Sequence, residues 1–124
     1  MIKNQKYKPK EITTGDLRTP VVFFEFKPGK GPEPGDVKRK ELFKCFALAY
    51  NPSMKDIEII KATETKEGLT IKIRDPKQDY QPTNKHFVEV QDYRYENKIF
   101  NVVDVSYDLE NNEFIKIILG NPHE

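Results

Sequence analysis

Apolar and polar positions alternate most regularly toward the end of the chain. Phe87-Val88-Glu89-Val90, Ile99 to Val105 and Phe114 to Leu119 are separated by the polar turns Tyr95-Glu96-Asn97-Lys98 and Asp108-Leu109-Glu110-Asn111-Asn112. Successive side chains of a strand point to opposite faces, so short segments with turn chemistry between them predict an antiparallel meander whose register follows the buried face. Upstream, Leu69, Ile71 and Ile73 alternate with Thr70, Lys72 and Arg74, the pattern of a half-buried strand.

Two earlier segments are apolar on both faces. Arg18 to Phe26 sets Val21 and Phe23 against Val22, Phe24 and Phe26, so this strand is expected to be covered on both sides, by its own domain or by a neighbouring subunit. Leu42 to Tyr50 sets Phe43, Cys45, Ala47 and Ala49 against Leu42, Phe46, Leu48 and Tyr50. Between them, PGKGPEPGD at residues 28–36 holds six Pro or Gly in nine positions, which excludes a helix or a central strand. A loop over residues 28–41 is longer than a hairpin needs, and long loops in small domains tend to carry function.

A helix is predicted from about Met54 to Lys66. Ser53 stands at the N-cap with Asp56 three residues on, and Gly68 is placed to end the helix in the left-handed conformation. Met54, Ile57, Ile60 and Ile59 form its expected inner side, and Lys55, Glu58, Lys61 and Glu64 its outer side. Asp75 to Lys85, with Pro76 and Pro82, is a polar loop, and no solenoid or propeller repeat is present. The expected fold is mainly β: a small antiparallel β-barrel of about six strands with one short α-helix and a long loop after the first strand. Residues 1–14 are expected to be a flexible basic arm, residues 15–120 the barrel domain, and residues 121–124 a C-terminal tail.

Composition changes this picture in three ways. With 124 residues, of which 36% are hydrophobic and 33% charged, one thin core is expected, helped by burial against partners. No window approaches a membrane span, and the opening MIKNQKYKPK has no apolar run after its basic residues, so an intracellular protein without a signal peptide is expected. Cys45, the single cysteine, sits among Phe43, Phe46 and Leu48 as a small hydrophobe, excluding an internal disulfide.

Net charge is +1 but unevenly spread. Lys3, Lys6, Lys8 and Lys10 against Glu11 give the arm +3, and Lys27, Lys30, Lys38, Arg39, Lys40 and Lys44 against Glu33, Asp36 and Glu41 give the loop region +3, leaving −5 elsewhere. A basic arm and loop on an acidic body suit docking to an oppositely patterned protein. Lys3, Lys6, Lys8, Lys10, Lys27, Lys30, Lys38, Arg39 and Lys40 are therefore the candidate partner-binding residues. No catalytic, cofactor or metal set is expected: His86 and His123 are the only histidines, His123 lies in the tail, and Gly29, Gly31 and Gly35 are interrupted by prolines. Asp104, Asp108 and Glu110 crowd one turn, where solvated acids are commoner than a cation site.

The order strand, long loop, strand, short helix, strand, loop and three-strand meander resembles the head-tail joining or head-closure proteins of long-tailed bacteriophages. The matching segments are Gly15-Asp16-Leu17-Arg18, FALAYNPSMKDIEIIKATET, Gly68 to Arg74, and the closing run from Phe87 through Asp92-Tyr93-Arg94-Tyr95 to Val102, over roughly residues 15–119. Where that family usually has a turn glycine, this chain has Glu96-Asn97-Lys98, and Asn97 can take the left-handed conformation at modest cost. The resemblance implies no enzyme but a virion protein that forms a homo-oligomeric ring. Such a ring docks on the portal or adaptor complex after packaging, meets tail-terminator or tail proteins on its far face, and meets packaged DNA by proximity in the channel. It works at the virion neck, assembled in the host cytoplasm, with no membrane partner. A rival from another class is an OB-like single-stranded nucleic-acid-binding barrel, with Tyr7, Tyr80, Tyr93, Tyr95 and Tyr107 stacking on bases. A monomeric host-directed inhibitor is a third reading.

Overall fold

The computed structural model describes residues 14–28, 37–62, 67–107 and 113–121. Six antiparallel strands, β1 (Thr19–Pro28), β2 (Val37–Tyr50), β3 (Glu67–Arg74), β4 (Phe87–Val90), β5 (Phe100–Tyr107) and β6 (Phe114–Asn121), close in the order β1-β2-β3-β6-β5-β4. One helix, α1 (Met54–Ala62), links β2 to β3. The mainly β barrel with a single helix expected from the pattern is therefore what the chain forms.

Period-two alternation fills the interior. Val21, Phe23, Ala47, Leu69, Ile71, Ile73, Val88, Val90, Phe100, Val102, Ile115, Ile117 and Leu119 make one core cluster. Tyr80 reaches into it from the β3–β4 connection and packs against Phe23 and Phe43, with ring centroids 5.1 Å from each. Two bulges tune the register. Phe23 faces Phe43 but Phe24 faces Glu41, so Leu42 is the extra residue and both Leu42 and Phe43 pack against the core. In β5, Val103 is the extra residue between the pairs Val102↔Leu119 and Asp104↔Ile118.

Several boundaries differ from the sequence expectation. The loop expected over residues 28–41 is shorter, because β2 already begins at Val37, where Pro28↔Val37 and Lys27↔Lys38 extend the β1 ladder. Asn121, placed in the tail by sequence, is the last residue of β6, pairs with Glu67 and is buried. The helix is described to Ala62, and Gly68 does not terminate it: Gly68 lies within β3, opposite Gly120. Its missing side chain has another use, since a Cβ there would run into Ile60 Cδ1.

The inner side of α1 also differs. Met54 is 83% exposed and Ile57 38%, whereas Ile60 and, unexpectedly, Asp56 are buried. The helix crosses the outer face of β3, β6 and β5, so only the turn lying on that face is covered. Ser53 caps it as foreseen, accepting from Asp56 N at 3.2 Å, while the Asp56 carboxylate accepts from Ser53 N at 3.4 Å, a reciprocal capping box. The same carboxylate accepts from Thr70 Oγ1 at 3.2 Å and from Lys116 Nζ at 2.9 Å. Thr70, expected on the solvent side of β3, is fully buried beneath the helix for this reason. Burial would raise the Asp56 pKa, but Lys116 and the bonds from Ser53 and Thr70 outweigh it and hold the carboxyl below its ordinary range.

Candidate interaction surface

The β1–β4 ladder ends at Phe24↔Phe87, yet the β1–β2 ladder continues to Pro28↔Val37. A two-stranded ribbon therefore leaves the barrel at this end. Its inner face continues the row of Val21 and Phe23 but changes chemistry, becoming Glu25 and Lys27 opposite Lys40 and Lys38. Apolar side chains stop where the barrel stops, because beyond it that face meets water. Three lysines against one glutamate then crowd a short stretch. Lys27 stands directly across from Lys38, an arrangement that costs stability in a ladder. Lys27 also holds the Lys40 pKa below the usual lysine range, as neighbouring donor and like charge. Lys27 has partial relief from Glu25 at 3.7 Å.

The ribbon's other face anchors it. Phe24, Phe26 and Phe87 form an aromatic cluster with centroids 5.0 to 5.8 Å apart. Arg39 lies over the Phe24 ring at 3.8 Å and binds Glu89 at 2.6 Å, which depresses the Glu89 pKa. The doubly apolar first strand is explained by this cluster: Phe24 is buried by its own chain's rings and by Arg39, with Phe26 left 42% exposed.

The candidate partner-binding residues thus divide into three groups. Lys27, Lys38 and Lys40 share one face of the ribbon, and Arg39 is turned to the opposite face and engaged there. Lys3, Lys6, Lys8, Lys10 and Lys30 lie outside the described residues. Asp108 and Glu110 lie outside as well, and among the described residues no group of acids, histidines and cysteine is placed to hold a metal. Cys45 is half-buried against the core, and burial pushes its thiol up to about 12, far from a reactive thiolate.

Sequence reasoning missed two polar constellations. Tyr80 Oη lies 2.7 Å from His86 Nδ1, which also accepts from Thr83 N at 3.3 Å, so His86 is neutral with its pKa lowered chiefly by burial. Beneath the β4–β5 connection is a cleft of about 680 Å³ lined by Arg39, Glu89, Asp92, Tyr93 and Lys98 among others. Four of its charged side chains are engaged with one another or with adjacent groups: Arg39 with Glu89, Lys98 with Glu67 at 2.8 Å, and Asp92 with Arg94 through two side-chain bonds. Those bonds and Arg94 N hold the Asp92 carboxyl at about 2. On the outer side of β3, Lys72 faces Lys116 across the ladder.

The rival stacking platform is reduced. Tyr80 is buried in the core and Tyr95 packs on Phe100, leaving Tyr93 and Tyr107 as the exposed described tyrosines of that set. No helix among the described residues is long and apolar enough to cross a membrane.

No protein-family model matches the chain, and no curated protein matches it. Among solved structures, it is similar to the solution structure of protein SF1141 from Shigella flexneri 2a, at 15% identity and a TM-score of 0.61. The match covers 91% of this chain and 99% of that one. At that identity the likeness shows a shared fold.

Proposed function

We propose that this chain is a structural subunit of a phage neck, joining the portal or adaptor rings of the head to the tail after DNA packaging. The observation that carries the reading is the basic ribbon, stiffened on one face by aromatic packing and presenting Lys27, Lys38 and Lys40 on the other. Three like charges held together against the single acid Glu25 destabilise the free chain and are relieved by an acidic surface, which makes the ribbon a docking element. A six-stranded barrel filled by side chains has no lumen for a ligand, so its working parts are its surface and edges. In this reading the protein acts without chemistry of its own, as a ring of identical copies that also meets tail-terminator or tail proteins. Native mass measurement of the protein mixed with assembled portal and adaptor rings tests it. Discrete added mass, lost in a Lys27→Glu/Lys38→Glu/Lys40→Glu variant, is expected; a chain that remains monomeric in every mixture refutes it.

The nucleic-acid reading draws on the same three lysines. It is separated by titrating single-stranded and duplex DNA at several salt concentrations, where tight binding with a steep salt slope supports it.

A further inference from the structure

Among the described residues, β2 and β5 each have a stretch of backbone edge with no strand beside it. β2 pairs with β1 throughout but with β3 only over Ala47–Tyr50, so among the described residues no strand flanks residues 38–46 on the second side. β5 pairs with β6 as far as Tyr107, but with β4 only at Phe100 and Asn101. Val102 N donates to His86 O, and, among the described residues, 103–107 continue with a strand on one side only. A bare edge is a template for an added strand. Room is available beside β2, where an open cleft of about 600 Å³ separates Phe43 and Cys45 from the segment Arg74 to Asp79.

Topology places the two edges for each other. In the closed order β1-β2-β3-β6-β5-β4, β2 and β5 stand opposite, three strands apart in either direction. The chain of antiparallel pairings makes them run in opposite senses. Their free parts also lie at the same end of the barrel: residues 38–41 pair with the ribbon beyond Phe24↔Phe87, and residues 103–107 run past Phe87↔Asn101. Copies set side by side around one axis, barrels upright, bring β2 of one against β5 of the next, antiparallel and level. Such a contact is heterologous and can close a ring.

Charge selects this pairing over others. Residues 38–46 carry Lys38, Arg39, Lys40 and Lys44 against Glu41, so two copies meeting β2 to β2 would set lysines against lysines. Between Lys98 and Lys116 the chain has four acids and no base. The free edges of β2 and β5 point the same way around the barrel, so across a shared sheet the outer face of one copy continues as the inner face of the next. Asp104, opposite Ile118 on the outer face of β5, therefore meets the side of β2 that carries Lys38 and Lys40, opposite Lys27 and Glu25. We infer that a second copy of this chain docks its β5 edge, residues 103–107, along the β2 edge, residues 38–46, with Asp104 on the side of Lys38 and Lys40. The inference rests on the ring reading above and names its seam, about 17 Å of ladder for five residues.

Sedimentation velocity on the full chain, from about 1 μM to about 1 mM, tests the seam. Self-association is expected, weakened about tenfold or more by Lys40→Glu or by Asp104→Lys and recovered in the chain carrying both changes. Hydrogen exchange on the unaltered protein gives an independent readout: amides within residues 38–46 and 103–107 should gain protection on concentration, even where a charge variant folds poorly. A monomer at the highest concentration overturns the seam, as does association that neither reversal changes. If that monomer still adds mass to portal and adaptor rings, the seam alone falls. If it does not, the neck reading falls with it.

Discussion

Replacing Lys116 by Met isolates the polar contact that fixes the helix on the barrel. Lys116 Nζ lies 2.9 Å from a carboxylate on Asp56, which is 2% exposed, whereas the lysine side chain itself is 32% exposed. At an effective dielectric near 20, a pair at this distance attracts by about 6 kcal/mol before desolvation is charged against it. Removing one partner of a buried pair costs about 3–5 kcal/mol. The lower end applies here, because water reaches the lysine and Asp56 keeps its bonds from Ser53 N and Thr70 Oγ1. A loss of about 3 kcal/mol at pH 7 should lower the melting temperature by roughly 10 °C in a domain of this size.

The pH dependence separates this mechanism from general loss of packing. In the native chain the folded Asp56 pKa lies below its unfolded value, so its stabilisation is present above that unfolded value and is lost as pH falls through the folded pKa. Without Lys116, desolvation dominates and the folded pKa rises, so the variant loses stability as pH rises. The difference between the two proteins should therefore be largest near neutrality and shrink toward pH 3, as read by urea unfolding followed by circular dichroism. A variant that is neutral at pH 7, or a deficit that is the same at both ends, refutes the reasoning.

Gly68→Ala should cost about 1–3 kcal/mol, because its Cβ meets Ile60 Cδ1 and the carbonyl of Leu119 lies 3.3 Å away; in an Ile60→Val background thermal unfolding should show a smaller penalty. His86 has a folded pKa below its unfolded value, so the stability it contributes is complete above about pH 6.5 and declines as pH falls toward the folded value. Denaturation at pH 7 and pH 5.5 should show that decline, and Tyr80→Phe, which removes the hydroxyl from Nδ1, should change its size. Cys45, with its thiol near 12, should react with a thiol-labelling disulfide far more slowly in the folded protein than in urea; equal rates would place it elsewhere.

The strands with a clean period of two were legible without coordinates. Leu69, Ile71 and Ile73, and the closing segments from Phe87 onward, had to bury one face, and only one register does so. The turn at Asn97 also followed from chemistry, and its φ is 64° as a left-handed asparagine requires. The start of β2 was not legible. Lys38-Arg39-Lys40-Glu41 has no hydrophobic period because the ribbon meets water on the face it shares with Lys27, and its extended form comes from pairing with β1. The basic residues there were recognised as a group, but their division into a lysine face and an engaged Arg39 depends on which side of the ladder each occupies.

Local pattern by itself determined the fold class, the alternating core positions and the cap of α1, since each follows from the geometry of a few neighbouring residues. Tertiary structure alone decided that Asp56 and Thr70 are buried, that Gly68 makes room for Ile60, and that Tyr80 fills the barrel end. It also decided where the ladders among the described residues stop. Those outcomes depend on where a helix lies across a sheet and where a ladder stops, relations between residues far apart in the chain that no short window contains.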